Sequence, residues 1–223
     1  MLNISHQADL AIVEVEDKTF FNKTKPLKLS KEVNTRDEIT VLCYPLGGQI
    51  ISTTIGIISR IEYVNYVWSS ENLLAIQVDA AINSSNSGGA ALDKNGDIVG
   101  IAMMSLKNTN NISYLVPSVI IDTFLEDIKD GKVDGFGKDG LIINNINNDS
   151  VKDYFGLKNG DGILITKVPY AVDDFKVNDI ILEIDGKVVA NDGTIDSSFG
   201  RVNCNLVLHK KQIGDKVRFK ILR

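Results

Sequence analysis

The stretch QVDAAINSSNSGGAAL (77–92) sets Ser87 between Asn86 and the pair Gly88-Gly89, directly after an apolar run. A serine hydroxyl is a poor nucleophile at neutral pH unless a neighbouring base takes its proton. That base in turn needs a carboxylate to hold its tautomer. Two glycines after a serine let the backbone turn sharply and leave the hydroxyl open. Asn-Ser-Gly-Gly is equally an ordinary loop sequence between two strands, so the residues alone leave a nucleophile and a polar turn side by side. The supply of imidazole bases is narrow, because His6 and His209 are the chain's two histidines. Asp93-Lys94-Asn95-Gly96-Asp97 starts like a calcium loop, but the sixth and twelfth places, which need glycine and glutamate, hold Ile98 and Met104. An Asn-Gly flanked by apolar runs reads as a hairpin turn instead, and no metal ligand set is expected.

The elements that must carry Ser87 read as β. DLAIVEV (9–15), EITVLCYP (38–45), STTIGIISRIEYV (52–64), LLAIQVDAAI (73–82) and DIVGIAMMS (97–105) are rich in Val, Ile and Thr and are separated by turn residues. Regular short strands of this kind predict a sandwich or barrel. The period then changes. VPSVIIDTFLEDIKDGK (116–132) sets Val119, Ile120, Phe124 and Ile128 at helical spacing, with Pro117 near the first turn and Gly131 as a stop. The polar, glycine-rich run from Asp130 to Gly137 is the linker candidate. After it, LIINNI (141–146), SVKDYFGL (150–157), GILITKVP (162–169), NDIILEIDGKVV (178–189) and KVRFKIL (216–222) predict a small module of short strands with one or two short helices. The predicted domains are 1–130 and 136–223.

Composition narrows the function classes. The chain has 223 residues, 43% hydrophobic and 24% charged, with a net charge of −5, the balance of an ordinary globular protein. An acidic chain offers no electrostatic reason to expect nucleic acid or an anionic membrane surface as its main partner. No apolar run approaches the ~18 residues of a spanning helix. Two cysteines, Cys43 and Cys204, far apart in sequence, read as buried free thiols rather than a disulfide framework.

IQVDAAINSSNSGGAALDKNGDIVGIA (76–102) resembles the nucleophile region of the HtrA/Deg serine proteases. HQADLAIVEVED (6–17), VLCYPLGG (41–48), TIGIISRIE (54–62), ISYLVPSVIIDTFLEDI (112–128) and VNDIILEIDGKVV (177–189) match further segments of that family in the same order. The flavour is that of the plant and protist organellar members. The resemblance implies a mainly β fold: a chymotrypsin-like barrel (the second barrel, with a remnant of the first), a closing helix, and a PDZ-like α+β domain. It implies Ser87 as the nucleophile and Asp9 as the carboxylate that orients a histidine. The N–H groups around Ser85, Asn86 and Ser87 form the oxyanion hole, and Ile82, Ile101 and Met103 line the specificity pocket. The loop Gly137-Lys138-Asp139-Gly140 before Leu141 becomes the cradle for a peptide's terminal carboxylate beside an exposed strand edge. The acidic Asp139 counts against tight binding there.

Two departures stand out. The family's histidine lies well before its aspartate, whereas only eight residues precede Asp9 here. His6 sits on the wrong segment, and His209, in the second module, is expected at the surface. Ser85 stands where the family has a glycine that aims an N–H at the oxyanion, and Ser84 where it often has proline. Three explanations follow: a chain incomplete at both ends, a degenerate relative, or a base supplied by another group; the chain alone is expected to be inactive. Expected partners are unfolded or damaged protein and peptide segments, without ATP or another cofactor, and a trimer-based homo-oligomer. The compartment implied is an organelle, chloroplast or mitochondrion, or the bacterial cell envelope.

Overall fold

The computed structural model describes residues 2–44, 49–82, 86–105, 112–157, 160–169 and 174–223. The chain divides into two compact units, Met1–Gly135 and Phe136–Arg223.

The first unit opens with a small hairpin, β1 (Asn3–Ser5) and β2 (Leu10–Ile12), paired only with each other among the described residues. The predicted strand 9–15 is cut short at Ile12. β1 offers three partners, so Val13 and Val15 fall outside the ladder and stay exposed. Six strands then close a barrel: β3 (Glu38–Cys43), β4 (Ser52–Asn65), β5 (Asn72–Val78), β6 (Ala90–Leu92), β7 (Ile98–Ser105) and β8 (Ser113–Pro117), in the order β3-β4-β5-β8-β7-β6. β4 is long enough to serve two neighbours. Residues 52–57 pair with β3, and residues 58–65 pair with β5 across a bulge between Ile58 and Arg60. A bulge bends its strand and raises the local twist, which turns the barrel's corner. At that corner Gly56 has no room for a side chain, since a Cβ would stand 2.5 Å from the Ala80 nitrogen. The Ile57 N–H donates to Asp79 Oδ1 at 2.6 Å.

The core is the alternation of the sequence made solid. Ile39, Val41, Ile58, Leu74, Ile76, Val78, Ala91, Val99 and Leu115 are each at most 2% exposed. Each large side chain among them contributes about 1.5–3 kcal/mol of transfer free energy. The helix α1 (Ser118–Asp127) packs on β7 and β8 with Ile120, Ile121 and Phe124 buried. It starts later than the predicted 116, because Val116 and Pro117 are held extended opposite Ile101 and Gly100. A 3-10 turn over Ile128–Asp130 follows, and Gly131 stops it in the left-handed region at φ 87°.

The second unit holds β9 (Ile142–Asn145), α2 (Asp149–Tyr154), β10 (Ile163–Lys167), β11 (Ile180–Ile184), β12 (Lys187–Val188), β13 (Thr194–Ser197), β14 (Gly200–Asn203), α3 (Leu206–His209) and β15 (Phe219–Leu222). Its main sheet runs β12-β11-β10-β9, with β15 also paired to β11. Asp185 and Gly186, both at positive φ, make the tight turn from β11 to β12. Asn148 caps α2 by accepting from the Ser150 N–H at 2.8 Å. Ile146, Leu157 and Ile180 form a buried cluster beneath Val151, Phe155, Leu164, Leu182 and Leu222. His209, expected at the surface, is 4% exposed. It stacks edge-on with Phe136 at 5.9 Å, because α3 turns that face inward with Leu206 and Leu208. Cys43 and Cys204 are both free and buried, one in each unit.

One ion pair pins the main sheet of this unit. The Arg223 guanidinium grips both oxygens of Asp179, at 2.8 and 2.7 Å, and the Lys176 N–H also donates to Asp179. The Asp179 side chain is 1% exposed and that of Arg223 is 48% exposed. The Arg223 hydrogen bonds hold the Asp179 carboxyl below its ordinary value. Its stabilisation is therefore full above the ordinary carboxylate value of about 3.9 and is lost as pH falls through the lower folded value. Arg223→Ala is expected to lower the protection of the β11 amides at pH 7, because it leaves the buried Asp179 carboxylate without its guanidinium partner. The deficit should shrink at acid pH, as read by hydrogen exchange.

Candidate active site

Ser87 lies on the turn that feeds β6, and it is exposed. Two glycines build that turn for different reasons. Gly88 takes φ +89° with open space around it, so its need is conformational. Gly89 needs room: a Cβ there would sit 2.5 Å from the Leu42 carbonyl oxygen. The turn is laced to β7, the Gly88 N–H donating to Ala102 O and the Ala102 N–H to Gly89 O, both at 2.8 Å. The Gly89 N–H closes the turn on Asn86 O at 3.0 Å. The Ser87 hydroxyl donates to the Met103 carbonyl at 3.0 Å. Its backbone N–H has no hydrogen-bond partner among the described residues. Asn86 is 5% exposed, and its Oδ1 is buried without a described partner. Ser85, named from the sequence for the oxyanion hole, lies outside the described residues, as does Ser84.

Asp9 sits at φ 55° in the turn just before β2, a left-handed conformation that aspartate tolerates better than most residues. The turn docks on the loop after β4. Ser69 Oγ donates to Gln7 O at 2.9 Å, and Tyr66, 1% exposed, donates to Leu74 O at 2.6 Å. Burial raises the Tyr66 phenol well above its ordinary range, with the charges of Tyr63 and Asp9 adding to it. The Asp9 residue as a whole is exposed, yet its carboxyl is sheltered enough that desolvation raises its pKa. No hydrogen bond among the described residues joins Asp9 to Ser87.

Ile82 and Met103 are 3% and 8% exposed, and Ile101 is half-buried. His6 is exposed in the β1–β2 turn, three residues from Asp9. Sequence reading passed over the Met103 carbonyl, the Asp79 cap and the buried Asn86 amide. The alternation in IAMMS marks its residues as core, but it carries no signal for a main-chain acceptor. Asp93 holds its hairpin turn by accepting at Oδ1 from the N–H groups of Asn95 and Asp97 at 2.8 and 3.0 Å. An open cleft of about 960 Å³ is bordered by Lys28, Lys31, Arg36, Asp93, Lys94 and Asp122, and neither Ser87 nor Asp9 lines it.

Residues 1–101 match the family described as Trypsin-like peptidase domain. The chain is 34% identical, over 96% of its length, to Protease Do-like 2, chloroplastic, of Arabidopsis thaliana. It is 40% identical, over 75% of its length, to the serine protease DegP homolog of Plasmodium falciparum. It belongs to the HtrA/Deg serine protease family. The chain spans 37% of the Arabidopsis protein and 20% of the Plasmodium one. Among solved structures, a variant of the HtrA-type protease AlgW with tripeptide superposes at TM-score 0.66. It covers 98% of this chain and 70% of that one at 24% identity, a likeness of fold.

The geometry separates the two glycines of this HtrA/Deg turn. Gly88→Ala is expected to cost about 1 kcal/mol through its backbone angle, and Gly89→Ala about 1–3 kcal/mol through overpacking on Leu42, as measured by urea unfolding. Asp9→Asn keeps the left-handed turn and removes the sheltered charge. A raised folded pKa means the folded chain binds more protons just above pH ~3.9, so the wild-type contribution falls as pH rises through that window. The asparagine variant should gain at most about 0.5 kcal/mol at pH 7, after solvent screening, and show a flatter pH profile.

Proposed function

We propose that this chain carries the serine-bearing barrel of an HtrA-type endopeptidase that cleaves unfolded or damaged protein without ATP. Residues 1–130 form its protease domain, and 136–223 a PDZ-like peptide-binding domain. Ser87 attacks the scissile carbonyl and Asp9 orients the histidine that takes its proton. The N–H groups at Ser87 and Ser85, flanking Asn86, receive the oxyanion. Ile82, Ile101 and Met103 wall a pocket that takes a small or medium aliphatic side chain. The observation that carries this reading is an exposed serine on a glycine-built turn, with an N–H that has no hydrogen-bond partner among the described residues, in a chain of a serine protease family. The HtrA-type protease AlgW, solved with a tripeptide, supports peptide-like substrates, and family resemblance supports a trimer-based homo-oligomer.

Neither histidine of this chain is placed as the base. His6 stands three residues from Asp9, and His209 is buried against Phe136 in the second unit. The 223 residues alone are therefore proposed to be inactive. A second reading, a non-catalytic peptide-binding scaffold, is favoured by the Ser87 hydroxyl proton resting on the Met103 carbonyl rather than on a base.

A fluorophosphonate probe followed by intact-mass analysis tests the missing base. Labelling is expected to be no faster than in Ser87→Ala. Rapid modification of Ser87 would show a working base within the chain and overturn this account. The coding sequence preceding Met1 separates the two readings: a strand-borne histidine there supports the protease, and an authentic start at Met1 the scaffold.

A further inference from the structure

The loop assigned above to a peptide's terminal carboxylate already contains one. Asp139 Oδ1 accepts from the Leu141 N–H at 2.9 Å, the last amide before β9. β9 is an edge strand, paired only to β10 among the described residues, with Ile142, Asn144 and Asn145 exposed along it. The loop is braced from behind. A Cβ on Gly137 would stand 3.1 Å from the Leu208 carbonyl of α3, and Gly140 turns at φ +67°. Asp139 is half-buried. Burial raises the Cys204 thiol, with the Asp139 charge adding to it.

We propose that Asp139 is a built-in occupant of the carboxylate cradle, so that the β9 edge takes an internal extended apolar segment rather than a chain's C-terminus. The proposal rests on the reading of this unit as a peptide-binding module. A strand added to a sheet edge is held by main-chain hydrogen bonds along its length, and these need no free carboxylate. A free C-terminus beside Asp139 would meet a donor already spent and a like charge at short range, an arrangement that cannot keep both groups ionised. Burial already raises the Asp139 carboxyl, so a second one adds to an existing strain. The device selects for interior segments of unfolded chains and against the ends of short cleavage products.

The test is fluorescence anisotropy on the full 223-residue chain. The probe is a pool of fluorescein-labelled decapeptides with Val, Leu, Ile or Phe at the last four places, made with a free C-terminal carboxylate or as the amide. The wild-type chain is expected to bind the amide pool at least as tightly as the acid pool. Asp139→Ala frees the Leu141 N–H and removes the charge, and is expected to tighten acid-pool binding tenfold or more with the amide pool little changed. Asp139→Asn keeps an acceptor for Leu141 but loses the charge, and should gain less than the alanine variant. A wild-type preference of tenfold or more for the acid pool, or no gain in either variant, overturns the proposal while leaving the peptide module standing. Failure of all three proteins to bind either pool removes the module reading and the proposal with it.

Discussion

The first unit hangs on a short seam. Its barrel closes where Thr40, Val41 and Leu42 of β3 meet Leu92, Ala91 and Ala90 of β6. The seam is short because β6 has three residues, and the chain reaches it straight from the Ser87 turn. For β6 to lie in register, Gly89 must pass against the Leu42 carbonyl, at a separation no side chain could share. The same backbone path that closes the barrel leaves Ser87 outside it. The serine's exposure follows from strand closure and from glycine's missing Cβ, with little contribution from the serine itself.

Around that turn the molecule tolerates unfavourable arrangements that an ordinary loop would lose. The Asn86 amide oxygen is buried without a described partner, at a cost of roughly 1–3 kcal/mol for an unmet acceptor. Asp9 holds a left-handed backbone and a desolvated carboxyl. Such strain tends to gather at functional sites, where the surrounding structure over-determines it. Here the supports are visible: two main-chain bonds to Ala102 on one side, and the Ser69 bond to the Gln7 carbonyl on the other.

The second unit solves a smaller problem by different means. Its buried apolar cluster is modest, and polar ties supplement it, with Arg223 on Asp179 and Arg218 donating its N–H to Asp185 at 2.8 Å. Both ties hold β11, the strand to which β10, β12 and β15 all pair. Asp139 uses the same chemistry, a carboxylate seated on a main-chain N–H, in the loop that leads to β9, which pairs only with β10 among the described residues.

Local pattern was enough for the β-rich character, the closing helix and the serine-bearing segment, because alternation, glycine pairs and helical spacing are written in neighbouring residues. The family, too, was legible in NSSNSGG and the ordered segments around it. Pattern failed where the deciding partner is distant. Val116 and Pro117 read as helix, yet pairing with Ile101 and Gly100 holds them extended. His209 reads as a surface residue, yet the packing of α3 turns it inward. Gly88 and Gly89 look alike in sequence, and only the approach of Leu42 shows that one needs an angle and the other a space. The Met103 carbonyl that accepts the Ser87 hydrogen bond belongs to a main chain no side-chain motif can announce. Sequence determined which residues are present to do chemistry. Tertiary structure decided which atoms meet, because burial, register and close approach are set by residues far away along the chain.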